Sequence, residues 1–120
     1  MRSYIKVHEY HIVEGVVKQI LEKAKNSNAK RITCVTLILG ELSGLQEESI
    51  RVYFENFSKD NILEGARLIL KPVKSKLKCK DCGIIFEHKK SNFNCPKCSG
   101  LGILTSSGKE FYIDNIEIES

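Results

Sequence analysis

Four of the chain's cysteines fall in one stretch, CKDCGIIFEHKKSNFNCPKCSG, as two CxxC pairs: Cys79 with Cys82, and Cys95 with Cys98. A CxxC turn aims two sulfurs at one centre, and two such turns held by a hairpin make a closed, tetrahedral four-thiolate site. The ion expected there is structural Zn(2+), with iron in a similar four-sulfur site as the competitor. Two paired motifs argue against a redox dithiol. No coordination position stays open, so the site is expected to fold a segment too small for a core of its own, without catalysing anything. Gly83 and Gly100 follow their pairs closely, where tight turns need permissive dihedrals. Phe86 and Phe93 supply the module's apolar content. The fifth cysteine, Cys34, lies in the β-like run TCVTLIL and reads as a small buried hydrophobe.

A second set of donors sits near the start, in KVHEYHIVEG. It holds His8, Glu9 and His11, immediately before an apolar helical stripe. Two readings stand side by side: a solvated helix start, or a metal site. Residues three apart on a helix are neighbours, so His8 and His11 could share a ligand. The third histidine, His88, lies between the two cysteine pairs and is either a solvated loop residue or an auxiliary ligand.

The elements that must position these residues follow from periodicity. Ile12, Val13, Val16, Val17, Ile20, Leu21 and Ala24 recur near 3.6 residues, predicting a helix that ends at Asn26–Asn28. The β-branched run RITCVTLILGEL predicts a strand over 31–42. Ser43 with Gln46 fits a capping box, Glu47 and Glu48 suit a helix start, and Ile50, Tyr53, Phe54 and Phe57 continue an amphipathic helix to about Lys59. A turn at Gly65 leads into a strand from about Ala66, which Pro72 assigns to an edge. EFYIDNIEIE predicts a last strand over 110–119. Its apolar residues change face, so a bulge near Asn115 or burial of both faces is expected. The cysteine module thus falls between two strands of one small sheet, with 74–78 and 105–110 as hinges.

At 120 residues the chain has room for one compact domain and a small appendage. Its longest apolar runs are too short to span a bilayer, and MRSYIKVHEYH lacks a secretory apolar core, so a cytoplasmic protein without membrane contact is expected. The formal charge of +4 falls to about +2 once four thiolates and a dication are counted. The module's lysines (Lys74, Lys76, Lys78, Lys80, Lys89, Lys90, Lys97) read as balance for the thiolate centre in preference to phosphate binding, because no arginine and no aromatic stripe accompany them. No nucleophile–base pair, phosphate-cradling loop or paired carboxylate suggests an enzyme. From the residues alone, a zinc-ribbon nucleic-acid or scaffold module stays open as the alternative to a metal carrier.

The N-terminal His-Glu opening a helix, the run LGELSGLQEESIRVYFENF, the CxxC–x12–CxxC module and the closing FYIDNIEIE together resemble the HypA/HybF family of nickel metallochaperones for nickel–iron hydrogenase maturation. The resemblance spans nearly all of positions 7–119. It implies an α+β fold: a nickel-binding domain of two helices and a small mixed sheet (residues 1–76 plus 109–120) carrying an inserted zinc-ribbon domain (77–108). It implies His8 as the nickel histidine with Glu9 beside it, His11 and His88 as further candidates, and Cys79, Cys82, Cys95 and Cys98 as zinc ligands. Ni(2+) would be transient cargo and Zn(2+) resident. The implied partners are the maturation GTPase of HypB type and the hydrogenase large subunit; some members also serve urease. Imidazole suits nickel(II) in nitrogen-rich, square-planar sites. The family places histidine second, where the α-amine joins the chelate. Here Met1–Lys6 and Val7 precede His8. Three accounts follow: a start at Val7, removal of the extension, or a site completed by Glu9, His11 or internal amides. Intact mass of the native protein separates them.

Overall fold

The structure, a computed structural model, describes residues 7–88, 92–105 and 107–120, except for the side chains of Val7 and His8. The Met1–Lys6 extension, Lys89 and Lys90 lie outside the described residues. The chain divides into two units, one of Met1–Ile38, Leu45–Lys71 and Tyr112–Ser120, the other of Leu39–Gly44 and Pro72–Phe111.

In the first unit, helix α1 runs Val7–Asn26. It begins five residues before the apolar stripe does, so His8, Glu9 and His11 all belong to its opening turns. Val13, Val17, Ile20 and Ala24 are buried along one face. The helix ends in a Schellman arrangement: the Ala29 N–H donates to Ala24 O at 3.0 Å and the Asn28 N–H to Lys25 O at 3.0 Å. Asn28 takes the left-handed backbone there at φ 56°, a conformation asparagine tolerates better than most residues.

Strand β1 (Arg31–Gly40) is central in the sheet order β2-β1-β6. A strand covered on both faces needs apolar residues at consecutive positions, and Cys34 through Ile38 are buried without a break. Strand β2 (Arg67–Val73) lies at one edge, which accommodates Pro72, and β6 (Phe111–Glu119) at the other. In β6 two successive residues, Asp114 and Asn115, are exposed before the alternation resumes in opposite phase. Helix α2 spans Glu47–Ser58 and buries Ile50 and Phe54. Two helices and this mixed sheet make an α+β unit.

The expected capping box of α2 does not form. The N-cap is Gln46, and its side chain makes no cap hydrogen bond. The Gln46 N–H instead donates to Glu9 Oε2 at 2.7 Å, so a carboxylate from the first turn of α1 meets the start of α2. Glu9 as a whole is 5% exposed, and a negative charge at a helix N-terminus is favourable.

The second unit holds three short antiparallel strands, β3 (Lys76–Cys79), β4 (Ile85–Glu87) and β5 (Gly102–Leu104), in the order β4-β3-β5. At its root three segments of chain are knotted together. Ser75, fully buried, donates from its N–H and its hydroxyl to Glu41 Oε1 at 2.6 and 2.7 Å. The Glu41 N–H donates to Val73 O at 2.9 Å, and the Leu42 N–H to Gly108 O at 2.7 Å. Gly108, at φ +99°, lies so close to Ser75 that a Cβ there would come within 2.7 Å of Ser75 Cα. The two hydrogen bonds from Ser75 hold the Glu41 carboxyl below the usual carboxylate range.

Candidate metal centres

The sulfurs of Cys79, Cys82, Cys95 and Cys98 all lie within 4.8 Å of one another. Cys79 and Cys98 are 3.4 Å apart, Cys82 and Cys95 3.7 Å. A tetrahedron with Zn–S bonds near 2.3 Å has S···S edges of ~3.8 Å, so the cluster has the size that ion requires.

Each knuckle is closed the same way. The Gly83 N–H donates to Cys79 O at 3.1 Å and the Ser99 N–H to Cys95 O at 2.9 Å. The residue four after the first cysteine is left-handed in both, Gly83 at φ +81° and Ser99 at φ +64°. Serine therefore carries the strained turn that was expected of Gly100. Gly100 is required for space: a Cβ there would come within 3.1 Å of Cys79 Sγ. Backbone N–H groups approach the sulfurs, Cys82 N to Cys79 Sγ at 3.3 Å and Lys97 N to Cys95 Sγ at 3.4 Å.

The thiols show what four sulfurs do to one another without a cation. The Cys82 N–H, above all, brings Cys79 down to about 6. At Cys98 the Gly100 N–H favours the thiolate, but the neighbouring Cys79 sulfur and burial outweigh it, and the thiol is pushed up to about 12. Cys82 rises too: the Ile84 N–H opposes, while burial and the sulfurs of Cys79 and Cys95 prevail. One thiolate forms at the expense of the others. A dication lets all four ionise together, and soft thiolate donors in a closed tetrahedron suit zinc.

The module's fully buried aliphatic is Leu77, which the sequence reading did not single out, while Phe93 is 39% exposed. Its only signal was alternation with the lysines of KSKLKC. His88 follows β4 with its ring against Phe93 at 4.6 Å; its Nε2 is buried and has no hydrogen-bond partner among the described residues.

At the other centre, His8 stands in the first turn of α1 by its backbone, and its imidazole lies outside the described residues. Glu9 is buried on Gln46, whereas His11 is exposed, with Nδ1 3.7 Å from Glu14 Oε1 and its ring edge-on to Tyr10 at 5.4 Å. Glu9 and His11 thus share a turn and differ in environment. Tyr10 packs onto Tyr53 and Phe57 of α2, at 5.6 and 4.9 Å between ring centres. These contacts and the Glu9–Gln46 bond fasten the first turn of α1 to α2. No helix among the described residues is long and apolar enough to cross a membrane.

The sequence matches the family model described as hydrogenase/urease nickel incorporation, metallochaperone, HypA, over residues 7–118. The hydrogenase maturation factor HypA of Caldanaerobacter subterraneus subsp. tengcongensis is 40% identical over 114 residues, covering 94% of this chain and 100% of that protein. The factor of the same name from Dehalococcoides mccartyi strain 195 is 34% identical over 113 residues, 94% of this chain and 95% of its own. Among solved structures, the solution structure of the Ni metallochaperone HypA from Helicobacter pylori superimposes with a TM-score of 0.64 at 28% identity, covering 93% of this chain and 97% of that one. A second solution structure of a HypA protein gives 0.68, also at 28% identity, covering 92% and 95%.

Proposed function

The chain belongs to the HypA family of hydrogenase/urease nickel-incorporation metallochaperones, and we propose that it carries Ni(2+) on the N-terminal His8–Glu9 motif and delivers it for nickel–iron hydrogenase maturation. The observation that carries this reading is the family match itself. It begins at Val7, one residue before His8, and runs through all four ribbon cysteines to residue 118. The family works by binding and transfer, so the chain is a carrier and no enzyme. His8 supplies the imidazole, Glu9 stands beside it, and His11 and His88 are the further candidates. The cysteine cluster holds resident Zn(2+), which when bound gives the ribbon its fold. The partners are those of the maturation pathway: the HypB-type GTPase and the hydrogenase large subunit.

The two centres differ in the way a carrier needs. Four thiolates enclose their ion and keep it. A site built on an imidazole in the first turn of a helix leaves positions open for exchange. Titration calorimetry of zinc-loaded protein with Ni(2+) tests the assignment. His8→Ala abolishes the specific nickel isotherm and leaves zinc content and circular dichroism unchanged; equal affinity before and after the change overturns it. Imidazole binds only when neutral, so nickel affinity falls as pH drops through roughly 6.5. Flat affinity from pH 8 to 5 would assign the ion to carboxylate or thiolate ligands instead.

A further inference from the structure

Strand β3 is flanked by antiparallel partners on both sides, and its register fixes which side chains share a face. Lys78 pairs with Ile85 of β4 and with Ile103 of β5. Directly opposed residues in antiparallel strands project to the same side, and alternate residues along a strand do likewise. Lys76 and Lys80 therefore join Lys78, and Leu101 joins Ile103. The Lys80 N–H donates to Leu101 O at 2.9 Å, continuing the register by one pair. The opposite side carries Leu77 and Cys79, both buried. It is tightly packed around Gly102, where a Cβ would come within 2.6 Å of Phe86 Cζ and 3.0 Å of Leu77 Cβ, while Leu104, opposite Leu77 at the end of the strand, is 51% exposed. The small sheet thus has an inner, metal-bearing side and an outer side where a column of lysines runs between aliphatics.

Charge balance does not explain this outer side. The three lysines alternate with Leu77 and Cys79, so they point away from the thiolate side. Nor does solubility explain the aliphatics. Ile85, Leu101 and Ile103 are 57, 57 and 52% exposed, even with lysine stems between them. Among the described residues of the three strands, the carboxylate on this side is Glu87, opposite Lys76 at the end of the column, which leaves Lys78 and Lys80 as its positive centre.

We propose that this outer face docks an extended, acidic and aliphatic segment of a partner protein. An extended segment presents alternate side chains to one side, so carboxylates can meet the lysine column while aliphatic groups cover Ile85, Leu101 and Ile103. A nucleic-acid strand fits less well, because among the described residues the face offers no arginine for bidentate phosphate contacts and no aromatic ring for base stacking. The surface stands independently of the nickel assignment, since it rests on the ribbon's register alone.

Fluorescence anisotropy on the full, zinc-loaded chain tests it, with a labelled peptide alternating glutamate and valine as probe. Peptides alternating glutamate with serine and lysine with valine serve as controls, and a single-stranded DNA oligonucleotide as the competing class. The glutamate–valine peptide is expected to bind more tightly than the others and to weaken as salt rises. Lys78→Glu with Lys80→Glu should weaken it ~tenfold, and Ile103→Ser about threefold, the effect of roughly one exposed aliphatic contact. Lys18→Glu on α1 should leave it unchanged. Lys78→Gln with Lys80→Gln, a milder pair, should give a smaller loss in the same direction, and zinc stoichiometry confirms that each variant is folded. Equal binding by folded lysine variants, equal affinity for the glutamate–serine peptide, or tighter binding of DNA through the same lysines each overturns the proposal.

Discussion

The unit of helices and mixed sheet and the cysteine ribbon hold themselves together by different means. In the first, Val13, Val17 and Ile20 of α1, Ile32, Val35 and Leu37 of β1, and Ile50 and Phe54 of α2 are buried. In the ribbon the buried apolar residues among those described are Leu77, Cys79 and Cys95, two of them members of the four-sulfur cluster that could hold a metal ion. Burial supplies the driving force in one case. In the other there is little apolar surface to offset chain entropy, and an ion held by the four sulfurs would supply the difference. The contrast bears on the proposed function: a region with its own core would survive the release of a bound ion, whereas a region that folds on its ion would not.

The sharpest way to break this comparison is to remove a sulfur. Cys79→Ser, or chelation of the metal, should unfold the ribbon while α1 and α2 persist. Structural zinc contributes about 10–16 kcal/mol in small modules, so the effect should be the largest of any single change; zinc stoichiometry with far-ultraviolet circular dichroism reads it. Retention of both metal and ribbon structure would mean that the sulfurs are not the fold's support. The reciprocal change is Leu37→Ala in the central strand, expected to cost about 2–5 kcal/mol in thermal or urea unfolding while zinc content stays at one per chain.

Smaller effects sharpen the contrast within each region. Glu9→Ala removes the buried acceptor for the Gln46 N–H, and losing a buried charged partner costs roughly 1.5–3 kcal/mol. Glu9→Gln keeps an acceptor oxygen and should lose less. Comparing both with His8→Ala in nickel titrations separates fastening of α2 from ligation of the ion. If the glutamine variant binds nickel normally while the alanine variant does not, the carboxylate acts by holding the turn. The smallest effect concerns Glu41 at the root of the ribbon. Its carboxyl is held below its ordinary range by Ser75, so its contribution is present above the unfolded value and is lost as pH falls through the folded one. Zinc-loaded protein should therefore lose some stability on acidification below the ordinary carboxylate range, and Glu41→Gln should flatten that part of the profile.

Much of this was legible because it is local. A metal centre is specified by donor type and spacing, and the two CxxC pairs carry both. Helix α1 announced itself by its stripe, yet its first five residues did not. They are held by Glu9 on Gln46 and by Tyr10 on Tyr53 and Phe57, contacts with partners more than thirty residues away. The capping box at Ser43 failed for the same reason: a short-range pattern was present, and a long-range acceptor took the N–H. At the second knuckle the glycine was off by one residue, because Ser99 tolerates the left-handed turn and Gly100 is there to clear Cys79.

Residue types and their intervals, taken alone, determined that four sulfurs would gather, that the apolar stripe from Ile12 would form a helix, and that Pro72 would stand at a sheet edge. Each depends only on geometry within a few bonds of the chain. Tertiary structure alone decided that Glu9 would be buried against α2, that Ser75 would close on Glu41 and Gly108, and that Ile85 and Ile103 would flank Lys78. Those outcomes depend on which distant backbone groups meet, and strand register and close packing, not local preference, set that.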